Sequence, residues 1–170
     1  SVLAECADLL GIDLNAHGIR IVEFSQTDQN VLIKAADALG IAWFLVADGD
    51  DEGQKYVKST EKHLHGRVLS DHTHRLSHQN MEVLLCGAGF GQPYLDRIHP
   101  QQQSSITLNP GDAGYWIQVY QAVKGKSKPA AAMDALMLMR DEGESGVPPE
   151  IRGILEKVSS QPEETPHDPA

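Results

Sequence analysis

Apolar residues Val2, Leu3, Cys6, Leu9 and Leu10 recur at the three-to-four-residue spacing of one helix face, and Gly11 supplies a stop. The next segment, His17 to Ser25 (HGIRIVEFS), alternates apolar and polar positions, which predicts a half-buried strand. Helical spacing returns at Val31, Leu32, Ala35, Ala36 and Leu39, closed by Gly40. The run IAWFLVA, Ile41 to Ala47, is continuously apolar, as central parallel strands covered on both faces are. A more polar helix is expected over DEGQKYVKSTEKHLHG, a short strand over THRLS and a helix over NMEVLLCGAG.

Strands and helices thus alternate from residue 1 to about 89, which predicts an α/β fold with a parallel sheet and right-handed crossovers. Beyond this core (1–92) the pattern changes. FGQPYLDRIHPQQQSSITLNPGD is rich in Pro, Gln and Ser and reads as loop. AGYWIQVYQAV, PAAAMDALMLMRDEG and PPEIRGILEKVSS read as helices, giving a helical C-terminal lobe over 93–158. Residues 159–170 are acidic and Pro-rich and read as a disordered tail. The chain opens at the edge of a helix, with no Met and no cap cluster, and reads as a piece of a longer protein.

With 170 residues and 41% hydrophobic content, the chain is long enough for one domain with a real core. A net charge of −10 argues against binding nucleic acid by bulk charge alone, although bound metal and local basic patches can override the global sign. The two cysteines, Cys6 and Cys86, form no C-x-x-C pattern, so a cytoplasmic, reducing compartment is expected. No apolar run approaches a bilayer span, and no membrane partner is expected.

Charge also singles out one place. IAWFLVA runs directly into DGDDEG, which sets Asp48, Asp50, Asp51 and Glu52 at the end of a predicted strand. Ligands in open α/β sheets sit at such carboxyl ends. Two aspartates one residue apart can reach one hard cation, and Mg²⁺ needs only a few carboxylates beside its waters. Gly49 permits a tight turn and Gly53 a close approach at the next helix start. A polar turn after a strand is the other reading, and spacing alone leaves both open.

The order LGIDLNAHGIRIVEF, ALGIAWFLVADGDDEG, HRLSHQNMEVLLCGAGF, KSKPAAAMDAL, VPPEIRGIL resembles the Toprim nuclease domain of OLD-family proteins over about residues 1–158. Members join an ABC-type ATPase to a C-terminal Toprim domain. The resemblance implies a DNA endonuclease with two divalent ions, Mg²⁺ or Mn²⁺, and ATP used only through a domain outside this chain. A homodimer of the full-length protein is a further expectation. Asp48 and Asp50 match the D-x-D metal ligands, and Glu82 matches an acidic ligand after the next strand. Asn80 stands where the family often has Asp. Asp51 or Glu52 would serve as an outer or second-metal ligand, and Lys128 matches an active-site lysine. Toprim domains carry an E-G-x-x-E motif on their first strand, which this sequence would lack, so the chain alone is expected to be weak or inactive.

Rival readings are a catalytically inactive metal- or DNA-binding module and a phospho-acceptor receiver-like domain. Lys124, Lys126 and Lys128 form the densest positive segment, which reads either as a solvated loop or as a DNA-backbone contact. His63, His65, His72, His74 and His78 cluster in sequence without the spacing of a structural zinc site. Trp43, Phe44, Tyr115 and Trp116 are expected in the core, as is the stripe Met133, Met137 and Met139. GAGFG, Gly87 to Gly91, follows a helix rather than a strand, so it is not a dinucleotide loop.

Overall fold

Helix α1 (Val2–Leu9) stops at a glycine, as its sequence predicts: Gly11 has φ +68°, the left-handed conformation that costs glycine little. Helix α2 (Gln29–Ala38) begins at Asp28, whose carboxylate accepts the Asn30 N–H at 2.9 Å. The computed structural model describes residues 1–24 and 28–160. The expected tail over 159–170 therefore falls almost wholly outside the described residues, and only residues 159 and 160, which close the last helix, lie within them.

Strand β1 (Leu45–Ala47) pairs in parallel with β2 (Thr73–Arg75), Leu45 opposite Thr73 and Ala47 opposite Arg75. Between them lie α3 (Asp51–Thr60), a 3₁₀ turn (Glu61–His63) and the short α4 (Leu69–His72). The expected parallel α/β pairing is thus present, but it is small. Two strands make the sheet among the described residues, and helices form most of the chain.

Two strand expectations need correction. Residues 19–24 form no strand, and Ser25 lies outside the described residues. Alternation says which face a strand would bury, but ladder bonds to a neighbour make the strand, and no described strand lies beside this segment. The run from Ile41 enters β1 only at Leu45. Ile41 remains 55% exposed, so the apolar run is covered at its end and not along its length.

After β2 come α5 (Met81–Leu85), a π-type turn (Cys86–Phe90) and α6 (Gln92–Leu95). Part of the expected Pro/Gln-rich loop is therefore helical, and Pro100–Ser105 adds a 3₁₀ segment. Proline suits a first helical turn because its missing N–H would have no partner there. The three C-terminal helices occur as expected: α7 (Tyr115–Ala122), α8 (Lys128–Asp141) and α9 (Pro149–Ser159).

The core joins both ends of the described chain. Cys6 and Ala7 of α1 are buried with Leu84 and Leu85 of α5, Val119 of α7, Ala131, Ala135 and Met139 of α8, and Ile151 and Leu155 of α9. Small side chains at 7, 131 and 135 let the helices approach closely. The Cys6 thiol meets the Met139 sulfur at 3.7 Å, and burial pushes the thiol pKa up to about 11. Arg140 closes the rim on Glu5 at 2.5 Å. The methionine stripe divides: Met139 is buried, whereas Met133 and Met137 are 60% and 56% exposed, so only one of the three is core.

That division is testable by denaturant unfolding. Met139→Ala should cost about 2–5 kcal/mol through lost burial and a residual cavity. Met137→Ala should stay within about 0.5 kcal/mol.

Candidate functional site

The site begins where β1 ends. Leu45 and Ala47 hold the strand in the core, and the chain then turns through Asp48, Gly49 and Asp50 into α3. The Gly49 N–H donates to the His78 carbonyl at 2.9 Å, and Leu76 N–H donates to Ala47 O at 2.9 Å. The segment after β1 is thereby pressed against the segment after β2. A Cβ at Gly49 would lie 2.5 Å from the Leu76 carbonyl oxygen and collide with that of His78. A Cβ at Gly53 would collide with the Asp48 carbonyl oxygen. Neither glycine has a positive φ, so both are required by close approach and not by a special turn conformation.

Asp50 is the N-cap of α3: its carboxylate accepts the Gly53 N–H at 2.8 Å. Asn80 does the same for α5, accepting Val83 N–H at 2.9 Å. The D-x-D and N-x-E pairs are thus built alike, each with one helix-capping member and one member beside it. Glu82 lies in the first turn of α5. Asp48 is open to solvent on one side and backed by protein on the other. Partial burial, followed by the negative fields of Asp50 and Glu82, raises its pKa above the ordinary aspartate value. Two of the expected carboxylates, Asp50 and Glu82, therefore act on Asp48. Asp51 and Glu52 are exposed in the first turn of α3; Glu52 pairs with Lys55 at 3.3 Å, and neither contributes to the shift of Asp48.

Lys128, half-buried at the start of α8, reaches the same region through an aromatic ring. Its Nζ lies 3.8 Å from the centre of the Tyr120 ring. Burial first, then Glu82 and Asp48, raise the Tyr120 pKa. Tyr120 escaped the sequence reading because a tyrosine in an apolar helix carries no signature. Its one cue is its place, eight residues before Lys128. Lys124 and Lys126 are exposed on the turn that leads to α8.

Among the described residues, no group of three or more His, Cys, Asp or Glu side chains stands ready to enclose a metal ion. The donor chemistry nevertheless suits a hard divalent cation, since Asp48, Asp50, Glu82 and Asn80 offer only oxygen ligands. The five clustered histidines disperse to separate partners. His63 meets Asn30 at 3.0 Å, His72 the Trp43 carbonyl at 3.2 Å, His74 Glu150 at 2.8 Å, and His78 Ser77 at 2.9 Å. His65 lies 3.9 Å from Asp37. Gly91 of GAGFG serves packing, since a Cβ there would strike the Trp116 ring. Glu150 ties α9 to the site loop by accepting Ser77 N–H at 2.8 Å and the Ser77 hydroxyl as well. Burial raises its pKa, but the bonds from Ser77 and His74 outweigh this and leave it lowered.

No family model and no solved structure matches the chain. Uncharacterized protein YbjD of Escherichia coli (strain K12) is 27% identical over 161 residues, covering 92% of this chain and 28% of that protein. The chain thus spans little more than a quarter of this relative's length. Among the described residues, no helix is long and apolar enough to cross a membrane.

The raised pKa of Asp48 sets a stability trend. A carboxyl that ionises less readily when folded favours the fold below its unfolded pKa, and that contribution is lost as pH rises through the folded value. In metal-free buffer Asp48→Asn should therefore raise the Tm at pH 7. Thermal melts should show the gain shrinking as the pH falls through the aspartate range.

Proposed function

We propose that this chain is the catalytic domain of a divalent-metal-dependent DNA endonuclease of Toprim type, as in OLD-family ATPase–nucleases. One observation carries the reading: at the carboxyl end of β1, Asp48 feels the negative fields of Asp50 and Glu82, and Lys128 rests on the ring of Tyr120, which feels the fields of Asp48 and Glu82. Gathered carboxylates repel, and a cation that neutralises them reverses that cost.

Mg²⁺ or Mn²⁺, two ions in this reading, supplies Lewis-acid stabilisation of the attacking and leaving oxygens when bound. The protein's part is to present the oxygens of Asp48, Asp50 and Glu82, with the Asn80 carbonyl beside them. Asp50 can cap α3 with one oxygen and keep the other available. Lys128 provides a positive charge for a phosphate oxygen as negative charge builds there. Lys124 and Lys126, exposed on the approach, meet the DNA backbone and offset the acidity of the chain locally. In the same reading the first strand and its E-G-x-x-E motif come from an upstream segment, ATP acts only through a separate ATPase domain, and the full-length protein forms a homodimer.

Nicking of supercoiled plasmid in Mg²⁺ or Mn²⁺ tests this, comparing the chain with a form extended upstream through the expected glutamate motif. The extended form should nick, the chain alone should be weak, and Asp48→Ala should reduce nicking to background. Lys128→Ala should lose about 10²–10³-fold in rate. Undiminished nicking by Asp48→Ala would remove the reading. Binding gives a second readout: Mn²⁺ should raise the Tm of the wild type and leave that of Asp48→Asn unchanged.

A further inference from the structure

We propose that Tyr120 is a positioning residue: its ring, held by its packing on α7 and Tyr94, seats the Lys128 ammonium. The inference rests on the endonuclease reading for its functional meaning, but its geometry stands apart from it.

Lysine carries its charge on a flexible four-carbon stem with about 2 kcal/mol of rotamer entropy. A lysine at a helix start has no backbone reason to hold its ammonium at one point. The Tyr120 ring supplies one, since 3.8 Å from the ring centre is close contact for a cation on an aromatic face. The ring is itself well held. It belongs to the last turn of α7, beside buried Val119 and Ala122. It leans on the Tyr94 ring at 6.0 Å between centres, and Tyr94 is fully buried.

The contact is with the face of a ring and is not itself an ion pair. A lysine held this way keeps its charge available to an incoming phosphate.

Two variants separate the parts. Tyr120→Phe keeps the ring and removes the hydroxyl; Tyr120→Met keeps bulk and removes the aromatic face. Both are measured in whichever form of the protein nicks DNA, beside Lys128→Ala and the Tyr120→Met/Lys128→Ala pair. Tyr120→Met should lower kcat about 3–30-fold, the range a cation–π contact spans, with KM and Mn²⁺ affinity little changed. Tyr120→Phe should recover most of that loss. The double variant should be no slower than Lys128→Ala alone, since residues acting through one another are not additive. Additive losses, or equal damage from Phe and Met, would overturn the proposal. So would a covalent DNA adduct that forms on the wild type and is lost in Tyr120→Phe, because it would make the tyrosine a nucleophile.

Proton NMR of Lys128 decides the geometry without any activity. Its terminal methylene should be shifted upfield by the Tyr120 ring current and return to the ordinary lysine position in Tyr120→Met. An ordinary shift in the wild type overturns the seat. An upfield shift in a protein that never cuts DNA keeps the seat and rejects the endonuclease.

Discussion

Two missing side chains hold this structure's business end together. Gly49 lets the end of β1 lie against the carbonyls of Leu76 and His78, and Gly53 lets α3 start directly under Asp48. With only two paired strands among the described residues, the sheet is too short to fix its own loops. Backbone contact between the two post-strand segments fixes them, and that contact exists because no Cβ stands in the way. Asp48 lies in the first of those segments and Glu82 in the helix that follows the second, and the field of Glu82 reaches Asp48.

The same economy appears in the polar side chains. Asp50 and Asn80 each finish a helix, which any structural aspartate or asparagine could do. Their placement also brings Asp48 and Glu82 into one field. A helix cap uses one oxygen and leaves the rest of the group at the surface. Structural and chemical duties are therefore compatible at these positions. The electrostatic strain falls on Asp48, the member of the D-x-D pair that caps nothing.

Local signals were the legible ones. The acids after IAWFLVA, the glycine stops at 11 and 40, and the helices from 115 to 159 all follow from neighbours within a few residues. Interactions that need a distant partner were not. Residues 19–24 have the alternation of a strand and no described neighbour to complete one. Met133, Met137 and Met139 share one apolar pattern, yet the position of α1 decides that only Met139 is buried. In the site, the resemblance singled out Lys128, but the sequence could not supply Tyr120, the ring on which Lys128 rests. The Ser77–Glu150 bonds span 73 residues, and no spacing rule reaches that far.

Those last bonds give the site an order of assembly in time. During synthesis the acids and the turn at Gly49 leave the ribosome long before α9. The loop carrying Ser77 and His78 has no anchor from Glu150 until α9 emerges. Met139 and Ile151 likewise reach Cys6 and Ala7 only near the end of the described chain. A nascent chain thus carries its carboxylates without that anchor until α9 is made, and the fold delays a rigid site until then.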